Sequence, residues 1–496
     1  MNRLGRLVGL ALLAAMLGAT SSCGASETPE GATTSTFGAR EAVLASTLLS
    51  PEDIRLLSQE EPLPLARVDY SKFPTDADPS SPSGRAYYVA PVGDDAGPGT
   101  EGQPFRTIEA ALLSAGSGDK VVVRAGTYQS AGLVVTHSNF LLTNYGNEAV
   151  VVEAAGGSTG LSLTAPSQHD VQVRGLTLAG FEQVGVYVGS PDTVHNLVLD
   201  GIQVSGSAEG LSGAYEEGVL VDGMLIKGLL LHDIQSIGFQ FGVGEGRNVR
   251  IVGLYVQMSA SRDDDSGLDA LAFEKGNNVL IENTIVEGAG GDGIDLKAGQ
   301  VAVVNSIVRH VGRNGIKLWS GGDVINTVVF DTGADAQVVT EAGTYRLINC
   351  TFAYHLMGGG DSYAATFAYG QSAATDVTLL NNVFFAMPSK LYFAPGASVH
   401  LDHNVFHGFP DSLVESGENE YGPSELARIF GGSNLYADPG FADLAAFDFH
   451  PAEGSLLLGA GTTEQGAPAF DILGAPRLGT NTVGAFQEAP FSAQEQ

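Results

Sequence analysis

The 496-residue chain has very little cysteine and little positive charge. Its two cysteines, Cys23 and Cys350, cannot build a disulfide framework, so a large core must supply the stability. Against 24 Lys and Arg stand 56 Asp and Glu, which gives a net charge of −32 without any basic run. Such a surface repels a phosphate backbone and excludes nucleic acid as a partner. It also repels other polyanions unless metal ions intervene.

Long apolar runs are missing beyond the N-terminus. The opening "MNRLGRLVGLALLAAMLGATSSC" places two arginines before an apolar run from Leu7 to Leu17, which is too short to span a bilayer. This pattern is typical of a secretory signal, and Cys23 stands where a bacterial lipoprotein carries its lipid. Lipidation predicts a protein of the outer membrane or cell surface that meets the membrane only through its anchor. Ordinary cleavage nearby, which predicts secretion, stays open as the alternative.

The composition disfavours a helical bundle. With 66 glycines and only 16% charged residues, the chain suits a fold rich in strands and turns. Residues 24–85 are rich in Ser, Thr, Pro and Glu and read as a flexible tether. We expect one domain over residues 86–486, a short tail over 487–496, and a monomer.

A short unit repeats along the domain. Segments such as "LIENTIVEG", "VVNSIVRH" and "VINTVVFD" share an Asn followed by small and then apolar residues. The unit is about 20–23 residues long, and some units carry about ten extra residues. The residues two after the Asn, or at the equivalent position of weaker copies, align as follows: Ile202, Ile234, Leu254, Ile285, Ile307, Val328, Thr351, Val383 and Val405.

The repeat predicts a parallel β-helix. Helical solenoids have longer units rich in Leu, Ala and Glu, whereas these units are rich in Val and Ile with a period of two. Each unit then forms one coil that stacks its strands on the next. We expect Ile285, Ile307 and Val328 to stack inside, and Asn283 and its equivalents to form an interior ladder. A helix within residues 104–128 is expected to cap the N-terminal mouth, and residues 435–461 to close the far end.

Charged residues recur at one position of the coils. In "SGLDAL", "DGIDLK" and "NGIKLW", a glycine and an apolar residue precede Asp269, Asp295 and Lys317. Because side chains alternate along a strand, these residues should form an outward column with neighbours about 4.8 Å apart. Earlier coils would contribute Tyr187, Leu220 and Gln240 to the same column.

Two interpretations of this column compete. Lys317 can neutralise Asp295 as an exposed ion pair, which is worth about 0–1 kcal/mol. However, Asp292 and the loop "SRDDDSG", which contains Asp265, add more acid than one lysine balances. A hard cation with oxygen ligands, best Ca²⁺, would balance the excess and let an acidic protein hold an acidic polymer.

The segment "YYVAPVGDDAGPGTEGQPFRTIEAALLSAGSGDKVVVRAGTY" and the ending "ADPGF…AFDF" resemble those of secreted right-handed β-helix proteins, among them polysaccharide lyases and uronan epimerases. The resemblance covers roughly residues 86–486 and implies an all-β, right-handed parallel β-helix. It is specific for the fold and only suggestive of the reaction.

The pair "GDGIDL" and "NGIKL" resembles the family 9 pectate lyases. By this resemblance Asp292 and Asp295 fall on calcium ligands, and Lys317 falls on the base that starts β-elimination. Gly291 and Ser266 stand where that family has further ligand aspartates, and Asp265 or Asp269 are the substitutes at hand.

Further residues are candidates for sugar contacts. Trp319 should point outward beside Lys317, where it can stack on a sugar ring or cover the sheet. Lys390 and Tyr392 lie in or near an enlarged coil that can line subsites. The leading hypothesis is an exported polysaccharide lyase that cleaves an acidic polysaccharide. An epimerase or glycoside hydrolase on the same scaffold, and a non-catalytic glycan-binding protein, stay open because fold alone does not choose among them.

Overall fold

The computed structural model describes the last part of the expected tether and most of the chain after it. The described residues are 67–75, 81–189, 191–259, 267–333, 335–339, 341–355, 363–367, 374–387, 389–409, 412–463, 466–477 and 481–487. The expected signal peptide, Cys23 and Asp265 lie outside these ranges.

The described part of the domain is an all-β, right-handed parallel β-helix, as the repeat predicted. Each coil contributes strands to three faces. The first and second faces form one continuous 24-stranded sheet, because strands β19 (Leu271–Glu282) and β21 (Ile294–Val304) run from one face into the other. The third face is a 13-stranded sheet. Parallel pairing in register along each face leaves the apolar side chains of successive coils stacked on one another.

The first face runs along the whole domain and carries the predicted charged column. Its strands are β4 (Leu133–Val135), β7 (Thr159–Leu163), β10 (Val184–Val188), β13 (Glu209–Gly213), β16 (Ile237–Phe241), β19 (Leu271–Glu282), β21 (Ile294–Val304), β23 (Ile316–Leu318), β26 (Gln337–Val339), β29 (Ala365–Phe367), β32 (Leu391–Phe393) and β35 (Val414–Ser416).

The second face continues from the first around the coil. Besides the second halves of β19 and β21, it contains β1 (Ala86–Val89), β2 (Lys120–Val123), β5 (Phe140–Asn144), β8 (His169–Arg174), β11 (Thr193–Asp200), β14 (Leu220–Lys227), β17 (Glu245–Val252), β24 (Gly322–Ile325), β27 (Thr344–Ile348), β30 (Asp376–Leu380) and β33 (Ser398–Asp402).

The third face closes each coil. It contains β3 (Gly126–Ser130), β6 (Val150–Ala154), β9 (Leu176–Ala179), β12 (Gln203–Ser205), β15 (Leu230–Ile234), β18 (Tyr255–Met258), β20 (Ile285–Glu287), β22 (Ile307–Val311), β25 (Val328–Thr332), β28 (Thr351–His355), β31 (Val383–Phe385), β34 (Val405–His407) and β37 (Leu435–Tyr436).

Short antiparallel and helical pieces complete the described residues. Strand β36 (Asn419–Tyr421) pairs antiparallel with β35, and β38 (Phe441–Asp443) pairs with β39 (Asp448–Pro451). The helices are α1 (Ile108–Ser114) and α2 (Leu426–Phe430), with 3-10 turns at Tyr70–Lys72, Pro423–Glu425 and Leu444–Ala446. No helix among the described residues is both long and apolar enough to cross a membrane.

Helix α1 covers the N-terminal mouth as expected. It begins at the side chain of Thr107, which accepts a hydrogen bond from the Ala110 amide, and it buries Ile108, Ala111 and Leu112 against the first coils. At the other end, α2 inserts Leu426 into the core. The segment expected to close this end instead folds back along the third face, where Phe449 packs on Phe330. Apolar side chains outside that face require this cover.

The aligned apolar residues are in the predicted register but on the other side of the strand. Ile285, Ile307 and Val328 are direct neighbours on the third face. The main core cluster, however, contains the residues that follow each of them, Val286, Val308 and Val329. Since neighbouring side chains on a strand point to opposite sides, the aligned residues face outward beneath other segments.

The asparagine column also lies on the outer side. Each member has positive φ, near 50°, which asparagine tolerates better than most residues. Asn326 donates to Asn305, and Asn381 donates to Asn349, both at 3.1 Å. The outermost partner is the segment 457–487, whose Arg477 donates 3.0 Å hydrogen bonds to Asn326 and to backbone carbonyls. An inner ladder starts one residue later: Asn382 Nδ2 donates to Asn404, and Asn404 Nδ2 donates to Asn434.

Candidate active site

Two columns of residues run side by side on the first face. The first, the strand column, consists of the strand residues in register with Asp295 and Lys317, which are direct neighbours as predicted. The neighbour of Asp295 on the preceding coil is Ala272, and the neighbour of Ala272 one coil earlier is Gln240. The expectation that Asp269 belongs to this column is therefore wrong.

Leu220 is also misplaced by the sequence reading. It lies on β14 of the second face, whereas Ser212 stands between Tyr187 and Gln240 in the strand column. The chain here has a strand on the first face and another on the second within one coil. Both show a glycine with apolar neighbours, so the motif alone did not distinguish them.

Asp269 belongs to a second column, which lies in the turns that enter the strands. Its members stand three residues before the strand column. Asp269 Oδ1 accepts the Asp292 amide at 2.8 Å, and Asp292 Oδ1 accepts the Asn314 amide at 3.0 Å. Asp335 takes the same position one coil further. Sequence reasoning missed Asn314 and Asp335, although each stands three residues before a strand-column residue.

Where the columns meet, three carboxylates surround one lysine. Oxygens of Asp269, Asp292 and Asp295 all lie within 4.8 Å of one another. Lys317 Nζ lies 3.2 Å from Asp292 Oδ2 and 3.6 Å from Asp295 Oδ2. Asp292 and Asp295 are almost fully buried, while one fifth of the Lys317 side chain is exposed. Lys317 is thus more exposed than the two carboxylates that it contacts.

A second lysine, missed in the sequence, completes the cluster. Lys297 Nζ lies 2.6 Å from Glu274 Oε2 and 3.7 Å from Asp295 Oδ2. The Trp319 indole donates to Asp295 Oδ1 at 2.7 Å, and Lys297 and Lys317 both lie over its ring, at 5.3 and 5.1 Å. Lys297 follows Asp295 by two residues, so strand alternation placed it on the same side.

The crowded carboxylates shift the ionisation of the cluster. Burial, followed by the charge of Asp292, raises the pKa of Asp269 to about 7. Burial also raises the pKa of Asp295, against the opposing effect of Lys317. For Lys317, burial alone lowers the pKa, but Asp292, Asp295 and Asp269 together outweigh it, so the pKa is raised. The cluster therefore carries more negative charge than its two lysines readily balance.

This donor set fits a hard divalent cation. The three aspartates supply carboxylate oxygens, the ligands that Ca²⁺ prefers. Burial and, after it, the charge of Asp292 raise the pKa of Asp269, and a bound cation would favour its ionised form. The Trp319 indole and the Asn314 side-chain amide donate hydrogen bonds to Asp295 and Asp292 and hold these carboxylates in place.

The remaining predicted residues lie further along the first face. Tyr392 is in the strand column, beside Thr366 and Glu415. Lys390 Nζ lies 2.7 Å from Glu415 Oε2, and the rings of Tyr363 and Tyr392 are 5.2 Å apart. Between Lys317 and Tyr392 stand Val338 and Thr366, so these residues are on the same face as the carboxylate cluster but do not contact it.

Comparison with known proteins supports the fold. A family model described as a protein of unknown function, DUF1565, matches residues 91–314. The uncharacterised protein YwoF of Bacillus subtilis (strain 168) is 32% identical over 134 residues, which are 24% of this chain and 28% of that protein. The match therefore spans little more than a quarter of that relative's length.

Solved structures extend the comparison over most of the domain. XylC in complex with xylose has a TM-score of 0.54 at 11% identity, covering 82% of this chain and 99% of that one. Pectate lyase Pel9A has a TM-score of 0.47 at 16% identity, covering 82% and 96%. At these identities the likeness concerns the fold alone. The chain is a right-handed parallel β-helix protein, and the resemblance expected from its motifs is confirmed at that level.

Proposed function

We propose that this protein is an exported polysaccharide lyase that cleaves a uronate-containing polymer by β-elimination, with Lys317 as the base. The observation that carries the proposal is the position of Lys317. Its amine lies 3.2 Å from Asp292 Oδ2 in a cluster with three carboxylates, and one fifth of its side chain is exposed on the first face. The pair "GDGIDL" and "NGIKL" supports the same assignment.

The base must be uncharged to accept a proton. In the protein alone the aspartates raise the pKa of Lys317 and keep it protonated. Asp269, Asp292 and Asp295 would hold Ca²⁺, with Asp265 as a further ligand, and a bound cation supplies positive charge that lowers the pKa of a nearby amine and of a proton next to a bound carboxylate. Lys317 could then act as base near neutral pH.

The reaction assigned to Lys317 is a proton transfer from carbon. Its Nζ takes the proton from the carbon next to the uronate carboxylate. The electron pair left on that carbon forms a double bond to the neighbouring ring carbon, and the glycosidic oxygen leaves with the electrons of its bond and takes a proton from water. Asp295 orients the base from one side, while the Trp319 indole holds Asp295 in place.

The site of action is assigned from the N-terminal sequence. The signal and Cys23 favour a cell-envelope lipoprotein, with secretion as the alternative. Growth with a labelled fatty acid distinguishes them, because a Cys23→Ser variant should lose the label and appear in the medium. Label retained by this variant, or absent from the wild type, would contradict lipidation at Cys23.

The decisive experiment is an assay of purified protein on a panel of uronate polymers, followed by ultraviolet absorbance of the unsaturated product. We expect activity that disappears with a chelator and returns with Ca²⁺. New reducing ends without unsaturation would instead indicate hydrolysis.

Hydrolysis is the second candidate because two observations favour it. Retaining glycosidases use two carboxyl groups about 5–5.5 Å apart, and the three aspartates here are at least that close. Asp269, with its pKa raised to about 7, is also suited to act as a general acid near neutral pH. Asp269→Asn would then abolish hydrolysis, whereas an elimination based on Lys317 would retain measurable rate.

A further inference from the structure

Two tyrosines flank the carboxylate cluster at equal distances along the first face, and each has a second tyrosine nearby: Tyr187 with Tyr215, and Tyr392 with Tyr363. Tyr187 lies four strands before Asp295 in the strand column, and Tyr392 lies four strands after it. At about 4.8 Å per strand, each is about 19 Å away. One strand spacing is similar to the length of one pyranose in an extended polysaccharide, so Tyr187 and Tyr392 each stand about four sugars from the centre, while Tyr215 and Tyr363 stand nearer to it.

The side chains of the N-terminal pair lie close to two glycines. A Cβ on Gly189 would lie 2.6–2.7 Å from three atoms of the Tyr187 side chain, so this side chain lies directly over the glycine. Likewise, a Cβ on Gly242 would lie 2.7 Å from the Tyr215 ring. The Tyr215 hydroxyl is 3.1 Å from Gln240 Oε1, which fixes the ring above the strand column. Both side chains therefore lie close to the backbone of these glycines.

The C-terminal pair is built differently. The Tyr363 and Tyr392 rings are 5.2 Å apart and tilted by 46°. The Tyr363 backbone amide donates a hydrogen bond to Asp335 Oδ1 at 2.8 Å, which holds this residue beside the second column, in the turns that enter the strands. Tyrosine offers an apolar face and a polar edge, which suits the mixed surface of a sugar ring.

The charge beside these tyrosines is not that of a polyanion site. Lys390 lies between Glu415 and Glu420, so its charge is already balanced. Beside Tyr215, the carboxylate of Glu209 lies 3.2 Å from the tyrosine hydroxyl. A uronate placed on either pair would face a carboxylate within one Debye length, about 8 Å at physiological salt.

We propose that the tyrosine pairs bind neutral sugars, so that the substrate is a heteropolysaccharide in which uronates are separated by neutral units. This inference rests on the proposed function for the central uronate. Only the carboxylate cluster, with a cation, would take the acidic sugar. The two pairs together favour chains of about eight sugars or longer, because both are engaged only when the polymer spans about 38 Å.

The test compares binding and cleavage of two polymers: a homopolymeric uronan and a polymer in which uronates alternate with neutral sugars. Affinity electrophoresis in Ca²⁺ measures binding independently of catalysis. We expect retardation by the mixed polymer. Tyr187→Ala and Tyr392→Ala should each weaken it about tenfold, while Tyr187→Phe, which keeps the ring, should bind like the wild type. Tyr145→Ala, an exposed tyrosine elsewhere, is the matched control.

Each outcome bears on one proposal. Equal or better binding and cleavage of the homopolymer would overturn the neutral-sugar inference and leave the lyase assignment standing. Tyrosine-dependent binding of the mixed polymer without elimination of any substrate would overturn the lyase assignment and leave the neutral-sugar inference standing. Tyrosine variants that bind like the wild type and melt at its temperature would exclude the flanking pairs as subsites.

Discussion

Two acid–base pairs occupy equivalent positions on neighbouring faces of this β-helix and differ in what surrounds them. On the second face, Arg346 is the direct neighbour of Asp323 and forms two hydrogen bonds with it, at 2.8 and 2.6 Å. On the first face, Lys317 is the direct neighbour of Asp295, yet 3.6 Å from it. The first pair is closed, because one arginine contacts both oxygens of one carboxylate and balances its charge. The second pair is open, because Lys317 makes no bidentate contact with Asp295 and lies near two further aspartates.

The difference separates a structural pair from a reactive one. The carboxylate of Asp323 is fully buried and has a bidentate arginine partner, which raises the pKa of that arginine. Asp295 shares its charge among Lys317, Lys297 and Trp319, and burial raises its pKa. Closed pairs hold coils together, whereas an underbalanced cluster on an open face is suited to bind a cation or move a proton.

The largest effect is expected from Lys317→Ala, which removes the base. Positioned general-base catalysis is typically worth about 10²–10⁴-fold, so turnover should fall by that factor while polymer binding persists. Turnover is measured from the unsaturated product and binding by affinity electrophoresis. Full activity in this variant would exclude Lys317 as the base.

Arg346→Ala should affect stability rather than chemistry. It leaves Asp323 buried without its partner, and breaking a buried pair in this way costs about 3–5 kcal/mol. Chemical denaturation measures the loss, and the specific activity of the folded protein should be unchanged. Lys317→Ala, as the matched control, should lose less stability, and Ca²⁺ should restore part of it. Equal losses in both variants would remove the distinction between the pairs.

Calcium should stabilise the open cluster and not the closed pair. Ca²⁺ at a hundred times its Kd would add about 2.7 kcal/mol to the free energy of unfolding, seen as a higher Tm. Asp292→Asn should lose most of this gain, whereas Arg346→Ala should keep it. A wild-type Tm that does not respond to millimolar Ca²⁺, with or without oligouronate, would contradict the site.

The pH dependence of stability should carry the signature of Asp269. Its folded pKa is about 7 against 3.8 for the free group, so between these values the folded protein holds a proton that the unfolded chain releases. Stability therefore falls as the pH rises through this window. Asp335, with a pKa of about 6, acts in the same direction at lower pH. The decrease in Tm between about pH 6 and 7 should be smaller in Asp269→Asn; an unchanged slope would argue against this assignment.

Trp319→Phe should have the smallest effect. It keeps an aromatic ring between the lysines but removes the hydrogen bond to Asp295, worth about 1 kcal/mol net. We expect a several-fold loss in kcat/KM with little change in Tm. A loss as large as that of Lys317→Ala would assign the indole a more direct role.

The sequence predicted the coil repeat better than the side of the strand. The spacing of Ile285, Ile307 and Val328 fixed their register, because each coil adds one strand per face. Their orientation was wrong because segments of distant sequence cover the outer surface, so outward positions are also apolar. Periodicity of two cannot distinguish the sides when both are buried.

The site was predictable where a motif and a strand coincide. Asp295 and Lys317 share one register position, which alternation alone reveals. Asp269 was placed in the wrong column because its motif lies three residues before the strand position it was aligned with: Leu271, not Leu268, pairs with Ile294. Glu274 and Asp335 have no motif, and only the stacking of coils brings them towards the cluster.

The segment 457–487 gives this molecule an order of assembly. Arg477 binds Asn326, 151 residues earlier, and Asn481 binds Asn349, 132 residues earlier. The outer asparagine amides of the earlier coils therefore gain these partners only after the last residues of the chain have been synthesised. A growing chain that has formed every coil still exposes this row of asparagines. Proteases and chaperones can thus distinguish an unfinished molecule from a finished one by a single unsealed edge.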